Sequence, residues 1–415
     1  MIHKSSRPIS ACQACEHAPL QSILFLGYIP PVNTMPPIGA VAEEENSYPL
    51  EMLRCPACEL VQIGLDVDQT VLFPPSYPYR SGSTKILRAN FAELCEESSK
   101  VLGLGRDDLV VDIGSNDGTL LSNFRNAGHQ VLGIEPSEAA TDANAAGIRT
   151  LMTYFSWATA EKCRTEYGAG KLITAANVFA HITDVHSIID GIVSLLADDG
   201  AFISENHYLL SLVETLQYDT IYHEHLRYYH IGALKPLLER HGLEIFRVKK
   251  IPTHGGSIRV YSGRKGRRQI EPSVAATIEE EAAKGIRDGS ALMTFRQRVV
   301  QSKVDLYALF CEIKRKNHRI YGIGAPSRAS TLINYVGLDD GLLDCVLEIA
   351  ASSKLGKYIP GTRIQVLDEA KLFVDQPEYA LLLSWHITDE LVTNLRRKGY
   401  KGRFIVPLPE PHIVD

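Results

Sequence analysis

A chain of 415 residues is too long for one simple core and predicts two or three domains. A net charge of -6 and a pI near 6.2 argue against general nucleic-acid binding, and no apolar run approaches the ~20 residues needed to span a bilayer. The opening M-I-H-K-S-S-R-P-I-S lacks a signal-peptide core, so a cytoplasmic, reducing setting is expected and the eight cysteines ask for a reason other than disulfides.

Half of those cysteines form two turns, Cys12-Gln-Ala-Cys15 and Cys55-Pro-Ala-Cys58. Each C-x-x-C can place two thiolates on one ion, and four sulfurs closing a tetrahedron make a structural zinc site with no open position. A redox dithiol competes, but one such turn would suffice for it. The intervening chain predicts strands around Leu24-Phe25-Leu26 and Tyr48 to Leu53. The P-P-V-N-T-M-P-P stretch and the E-E-E run between them read as a solvated, irregular loop. Cys95, Cys163, Cys311 and Cys345 are scattered among apolar residues and read as packing.

After a strand at Leu60 to Ile63 come an aromatic, Pro- and Gly-rich segment carrying Tyr77 and Tyr79, and a helix from about Thr84 to Ser99. The chain then reaches V-V-D-I-G-S-N-D-G-T-L-L, positions 110 to 121. An apolar strand runs into Asp112, a tight loop spans Gly114 to Gly118 through Asn116 and Asp117, and Thr119 begins a helix. Such a unit presents backbone N–H groups to a ligand, and its glycines permit close approach to the main chain. The strand from His129 to Ile134 ends in Glu135-Pro136-Ser137, where a carboxylate commonly meets ribose hydroxyls. Further alternation of helix (Ala139 to Ala146) and strand (Tyr154-Phe155, then Leu172 to Ala176) predicts a mostly parallel sheet. Asn177 and His181 leave the last of these at its carboxyl end, where open α/β sheets bind ligands, although a lone His there also fits a helix start or a core position.

Tyr222-His223-Glu224-His225, followed by L-R-Y-Y-H, is costly to pack as plain core. An imidazole held by a carboxylate is a good general base, and a phenol can donate to a developing oxyanion. A solvated loop before the helix Leu234 to Arg240 is one alternative. Metal binding through His223, His225 and His230 is another, weakened by the lack of a recognised partner.

In the C-terminal third, His254-Gly255-Gly256-Ser257 opens a strand from Ile258 to Ser262, and R-K-G-R-R reads as a solvated hairpin turn. A long helical region follows from about Ser273 to Lys316. The strand Arg319 to Ile323 then enters G-I-G-A-P-S-R, a second strand-loop-helix and a weak dinucleotide signal on its own. Arg328, Ser327, Lys354 and Lys357 could meet a diphosphate, with solvated surface as the competing reading. Strands at Tyr379 to Leu383 and Phe404 to Val406 complete a second α/β layer.

The acidic strand end D-x-G-x-x-x-G resembles the S-adenosylmethionine loop of class I methyltransferases. The whole chain resembles the sugar C-methyltransferases of deoxysugar biosynthesis, which act on nucleotide-linked 4-keto-6-deoxysugars. The resemblance is carried by the paired C-x-x-C turns, Tyr77-Pro78-Tyr79 with Ser81-Gly82-Ser83, I-G-S-N-D-G, Glu135-Pro136-Ser137, Ala176-Asn177 with His181, Tyr222 with Glu224-His225, and His254-Gly255-Gly256. It implies a zinc-binding module over 1–72, a Rossmann-like S-adenosylmethionine domain over 73–250, and over 251–415 a second Rossmann-like domain without its own cofactor, turned toward the sugar nucleotide. It further implies catalysis by Tyr77, His181, Tyr222, Glu224 and His225. Asp112, Gly114, Asn116, Asp117, Gly118, Glu135, Pro136, Ser137 and Asn177 would form the cofactor site. His223 stands where the family often has Asp.

Beside the resemblance stands a chemical expectation. His225 takes the proton from the carbon next to a ketone, Glu224 orients or charge-balances it, and Tyr222 and His181 hydrogen-bond the enolate oxygen, with positioning as the remaining task. O- or N-methylation by the same block, an oxidoreductase built on the Gly322 loop, and a non-catalytic zinc-stabilised scaffold that holds S-adenosylmethionine are the alternatives. Neither nucleic acid nor membrane is an expected partner, and a monomer or weak homo-oligomer is expected.

Overall fold

The computed structural model describes residues 6–41, 45–73 and 80–415, with the backbone alone at Ser83. Tyr77 and Tyr79 lie outside the described residues. Leu109–Ile113, buried at every position, is an inner strand of a seven-stranded sheet. Such unbroken apolar runs are what a parallel strand covered on both faces requires. The order across the sheet is Thr150–Leu151, Gln130–Ile134, Leu109–Ile113, Gly170–Ala176, Leu196–His207, Ser257–Arg264 and Leu243–Ile251. The first five run parallel, and Ser257–Arg264 is antiparallel to both its neighbours. This is the class I methyltransferase arrangement. Its first helix after the linker, Lys85–Leu102, ends on Gly103 at a φ of 63°, a left-handed stop that glycine adopts freely.

Two expectations change here. The sheet's outer strand is Thr150–Leu151, whereas Tyr154-Phe155 lies in an irregular connection. The expected border after residue 250 falls inside the sheet: a short connection returns the chain, and Ser257–Arg264 inserts between Leu243–Ile251 and Leu196–His207.

The N-terminal unit is an antiparallel sheet of Gln21–Ile29, Tyr48–Arg54 and Val61–Ile63, whose last strand is extended by Arg227–Tyr228. The segment that follows Tyr222–His225 is therefore hydrogen-bonded into the cysteine-bearing sheet. The loop after Gln21–Ile29 also departs from expectation. Pro30, Pro31 and Val32 are buried, and Ile38 N–H donates to Gly356 C=O while Tyr358 N–H donates to Pro36 C=O, each at 2.8 Å. It is a strap onto the C-terminal unit rather than a solvated loop, because its prolines offer apolar bulk without N–H groups to satisfy.

The C-terminal sheet is ordered Lys357–Tyr358, Gln365–Asp368, Cys345–Glu348, Ile320–Ile323, Tyr379–Leu382, Arg403–Val406 and His412–Val414. Its five inner strands are parallel and its two outer ones antiparallel. The expected single helical region is two helices, Pro272–Ala283 and Ser290–Lys314, separated where Gly285 and Gly289 take φ of 73° and 82°. The R-K-G-R-R stretch turns into the first of these helices rather than between paired strands. One continuous apolar core runs through all three units. Among the described residues, no helix is long and apolar enough to cross a membrane.

Candidate active site

The loop after Leu109–Ile113 is shaped by close approach. Gly114 has a φ of 69°, and a Cβ placed there would lie 2.4 Å from Val178 Cγ2. Gly118, at 75°, stands at the N-cap of Thr119–Asn126. Glu135 accepts the Asn116 N–H at 3.1 Å and the Ser137 N–H at 2.8 Å, and Pro136 follows it in the chain. Asn116 and Asp117 turn their side chains to the incoming linker: Asn116 Oδ1 accepts from Ser81 N–H at 2.9 Å and Asp117 Oδ2 from Gly82 N–H at 2.8 Å. They thus hold the segment Ser81-Gly82 beside the crevice. Asp112 is buried under the loop, where the Thr174 hydroxyl donates to it at 2.6 Å. Burial, reinforced by the charges of Glu135 and Glu205 and opposed by Thr174, pushes its carboxyl up to about 7.

Asn177 takes a φ of 59° as the chain leaves Gly170–Ala176, and among the described residues its buried Oδ1 finds no hydrogen-bond partner, nor does Ser115 Oγ. Buried polar atoms of this kind call for a ligand or water. These two orphans, the closed approach at Gly114 and the Glu135 carboxylate suit S-adenosylmethionine, whose ribose hydroxyls and amino-acid end need such partners.

A cavity adjoins this crevice, lined by Asn177, His181, Asn206, His207, His225 and Tyr228 among others. His181 donates from Nδ1 to Glu224 C=O at 2.5 Å, and His225 donates from Nδ1 to Thr220 C=O at 2.8 Å. The His225 bond leaves the Nε2 lone pair of that ring available, whereas the His181 ring has a second backbone contact, with Asn177. The two rings are 4.9 Å apart, and the Tyr222 ring lies 4.1 Å from His225. Burial is the main cause holding both imidazoles below their ordinary pKa, with the charge of His181 adding to it at His225. Burial likewise raises the Tyr222 hydroxyl, with Glu224 adding to the effect. The site therefore holds neutral imidazoles and a protonated phenol at neutral pH.

Glu224 differs from the expected orienter of His225. Its backbone carbonyl holds His181, while its carboxylate accepts from Asn33 Nδ2 at 2.7 Å. The sharp turn from Tyr222 to His225 makes this so, because it leaves the Thr220 carbonyl as the partner of His225. Asn33 Oδ1 in turn accepts from Ser327 Oγ at 3.0 Å. All three units thus meet around one carboxylate. The other histidines of the block point elsewhere: His223 is bonded to Pro49 C=O at 3.3 Å, and His230 to Glu281 and Glu59 C=O, both at 3.2 Å. This removes the metal reading of His223, His225 and His230.

Arg328 is also placed differently from a diphosphate ligand on open surface. It makes a buried, two-pronged ion pair with Asp219, at 2.8 and 2.7 Å, to which Trp385 Nε1 donates as well at 2.8 Å. Its Nη1 reaches His386 Nδ1 at 3.2 Å. Lys354 donates to Ala325 C=O at 2.6 Å, and burial draws its ammonium pKa down. Composition alone could not separate these buried cations from surface ones.

At the far end of the N-terminal sheet, Cys12, Cys15, Cys55 and Cys58 bring their sulfurs within 4.8 Å of one another. Cys12 and Cys58 are 3.4 Å apart, and that contact holds the Cys12 thiol down at about 5 while pushing Cys58 up. Four converging thiols, half of them buried, fit a closed tetrahedral zinc site. Among the described residues this is the one group with metal-ligand convergence.

Family models match the chain in three consecutive pieces: a zinc binding domain over 12–73, a methyltransferase domain over 86–248, and a C-methyltransferase C-terminal domain over 252–409. The C-methyltransferase NovU of Streptomyces niveus is 32% identical over 412 residues, covering 99% of this chain and 98% of that protein. The chain belongs to the C-methyltransferase family. It is an S-adenosylmethionine-dependent enzyme carrying an N-terminal zinc-binding module. Solved structures similar to part of it include magnesium protoporphyrin IX methyltransferase from Synechocystis, with 16% identity, 44% of this chain and 83% of that one covered, and a TM-score of 0.33. A methyltransferase from Anabaena variabilis has 15% identity, 46% and 89% coverage and a TM-score of 0.35.

Within this C-methyltransferase, three functional candidates escaped the sequence reading. His207 ends the strand Leu196–His207 at the same carboxyl edge as Asn177, a position that an apolar run ending in E-N-H could have signalled. Asn33 and Asp219 carried no signal, since each matters through a partner far away in the chain.

Proposed function

We propose that this C-methyltransferase methylates the carbon next to the ketone of a nucleotide-linked 4-keto-6-deoxysugar. The observation that carries the reading is His225, fixed by the Thr220 carbonyl so that its Nε2 is an acceptor, with His181 beside it in one cavity next to the cofactor crevice. S-adenosylmethionine supplies an electrophilic methyl group when bound.

His225, neutral at working pH, takes the proton from the carbon acid, and the Thr220 carbonyl supports the imidazolium so formed. Tyr222 donates to the enolate oxygen, whereas His181, its one proton held by the Glu224 carbonyl, has none to give that oxygen and lines the pocket beside His225. Glu224, held by Asn33, faces Tyr222 and Lys354 electrostatically and fixes the wall of the sugar pocket. Tyr77 belongs to this group on the family resemblance alone. Glu135, Asn177 and the Gly114 to Gly118 loop bind the cofactor, with Asp112 beneath them. The four cysteines hold zinc. The units 1–72, 73–250 and 251–415 divide the labour as zinc module, methyl-transfer domain and sugar-nucleotide wall, the strand Ser257–Arg264 reaching back into the methyl-transfer sheet, in a cytoplasmic protein that works as a monomer or weak homo-oligomer.

The test is incubation with S-adenosylmethionine and a panel of 4-keto-6-deoxysugar nucleotides. Mass spectrometry is expected to show the gain of one methyl group, and carbon NMR to place it on carbon. No gain across the panel overturns the sugar assignment. His225→Ala is expected to abolish turnover while leaving cofactor affinity nearly intact, and retained turnover would remove His225 as the base.

A further inference from the structure

His225 does not stand at the end of a histidine pair. On its other side lies His207, with ring centroids 4.9 Å apart, and His207 stacks on His254 at 5.2 Å with the planes 17° from parallel. His181, His225, His207 and His254 thus form a line of imidazoles, of which the chemistry above uses only the first two. They do not form a metal site, since their nitrogens lack the convergence that the four cysteines show.

The two halves of the line differ in how they are held. His181 and His225 are locked by backbone carbonyls into the tautomer that carries the proton on Nδ1. Among the described residues, neither ring nitrogen of His207 nor of His254 has a hydrogen-bond partner, and His254 Nε2 is buried without one. Either nitrogen of these rings can therefore accept or release a proton. His254 sits on a left-handed backbone at φ 56°, ahead of Gly255 and Gly256, where added Cβ atoms would meet Gln217 Oε1 at 2.7 Å and Ser211 Cβ at 2.5 Å. The chain is bent tightly to bring this ring against His207.

Methyl transfer to carbon leaves a proton to be disposed of. The C–H bond breaks, its electron pair forms the new C–C bond, the sulfonium becomes a neutral thioether, and the proton remains on His225. That imidazolium must be discharged before the next turnover, inside the cavity lined by His181, His207 and His225. We infer that His207 accepts this proton from His225 and passes it by way of His254 to solvent, each hop carried by a bridging water, since the rings adjoin without a direct hydrogen bond between their nitrogens. The inference rests on the proposed enolate chemistry. The rings of His225 and His254 flank His207, and Tyr228 lines the same cavity; His225, His254, Arg328 and His181 act on His207 as basic groups.

The test separates the first turnover from later ones. With enzyme in excess over sugar nucleotide, His207→Gln is expected to transfer its methyl group within about twofold of the wild-type rate. In steady state at low buffer concentration it is expected to slow by ~100-fold or more, the lower end of what a positioned proton acceptor supplies. Added imidazole is expected to restore the steady-state rate, and His254→Gln to repeat the pattern. Unchanged steady-state turnover in low buffer for both variants overturns the relay. So does an equal loss in single and multiple turnover that imidazole does not repair. Each variant is first checked for wild-type melting and cofactor affinity; if His207→Gln fails to fold, His254→Gln decides. Wild-type turnover on the panel is the control: its absence counts against the sugar reading, whereas a failed relay leaves it intact.

Discussion

Asn33 Nδ2 donates to Glu224 Oε1 at 2.7 Å across 191 residues of sequence. Because Ser327 Oγ lies 3.0 Å from Asn33 Oδ1, the amide is fixed in one orientation and joins the zinc module, the methyl-transfer domain and the C-terminal domain. Asn33→Ala is expected to reduce kcat/KM by about 10- to 100-fold, the loss of one hydrogen bond to a charged group at ~1.5–3 kcal/mol. Asn33→Asp is expected to be worse, since it sets two carboxylates face to face. Steady-state kinetics check both, and a Ser327→Ala variant should show a smaller loss in the same direction.

Zinc removal is expected to act on the active site at a distance. Arg227–Tyr228 extends the sheet that carries the thiols, and Arg227 Nη1 also reaches Gln13 Oε1, beside Cys12, at 2.9 Å. Loss of the metal leaves the cysteine knot without its cross-link and loosens the strand that follows His225. Chelation is expected to lower the melting temperature and abolish turnover, with both restored by one equivalent of zinc. Calorimetry with metal titration measures this.

The Arg328–Asp219 pair is buried on both sides, with side-chain exposures of 7% and 1%. Removing one partner strands the other charge, so Arg328→Met is expected to cost about 3–5 kcal/mol of stability. Arg328→Met combined with Asp219→Leu should recover much of that loss. Denaturant unfolding of the single and double variants checks the coupling. Trp385 Nε1, which donates to the same carboxylate, provides a fluorescence probe of the site.

Stability is expected to fall on acidification through a defined window. His223 and His254 are both held down at about 4, chiefly by burial, against an ordinary value of 6.5. Their native forms stay neutral while the unfolded chain takes up protons, so the unfolded state binds more protons below pH 6.5. Their contribution is therefore complete above pH 6.5 and is lost progressively as pH falls toward 4. His225 and His207, lowered in the same direction, steepen the loss. Melting temperature followed against pH should show this slope. The acid limb of kcat/KM should likewise lie below pH 6.5, because the base remains neutral there.

Sequence patterning revealed what local chemistry controls. The strand ending at Asp112, the glycine loop, the cysteine turns and the Tyr222–His225 block each announce themselves within a dozen residues. What could not be read was set by tertiary partners. Glu224 beside His225 suggested a carboxylate holding an imidazole, yet the turn gives that task to the Thr220 carbonyl and turns the carboxylate to Asn33. The Pro-rich loop looked solvated because prolines and Asn favour turns, whereas Pro30, Pro31 and Val32 are buried and its end is hydrogen-bonded to Gly356 and Tyr358 of the C-terminal unit. Arg328 resembled a phosphate ligand until Asp219, brought over from the methyl-transfer domain, neutralised it.

The cofactor crevice yields the most local prediction. Gly114 combines a φ of 69° with a Val178 methyl 2.4 Å from where its Cβ would sit, so Gly114→Ala meets both backbone strain and a clash. Val178 lies next to Asn177, whose Oδ1 is one of the orphaned acceptors, so the clash would be relieved by displacing that residue. Gly114→Ala is expected to weaken S-adenosylmethionine binding by at least ~10-fold, the ~1.4 kcal/mol equivalent of modest displacement. Glu135→Gln is expected to weaken it less, because an amide keeps one acceptor for the Asn116 and Ser137 N–H groups. Isothermal titration with the cofactor separates the two. Equal affinities for Gly114→Ala and the wild type would mean that the cofactor does not lie against this loop.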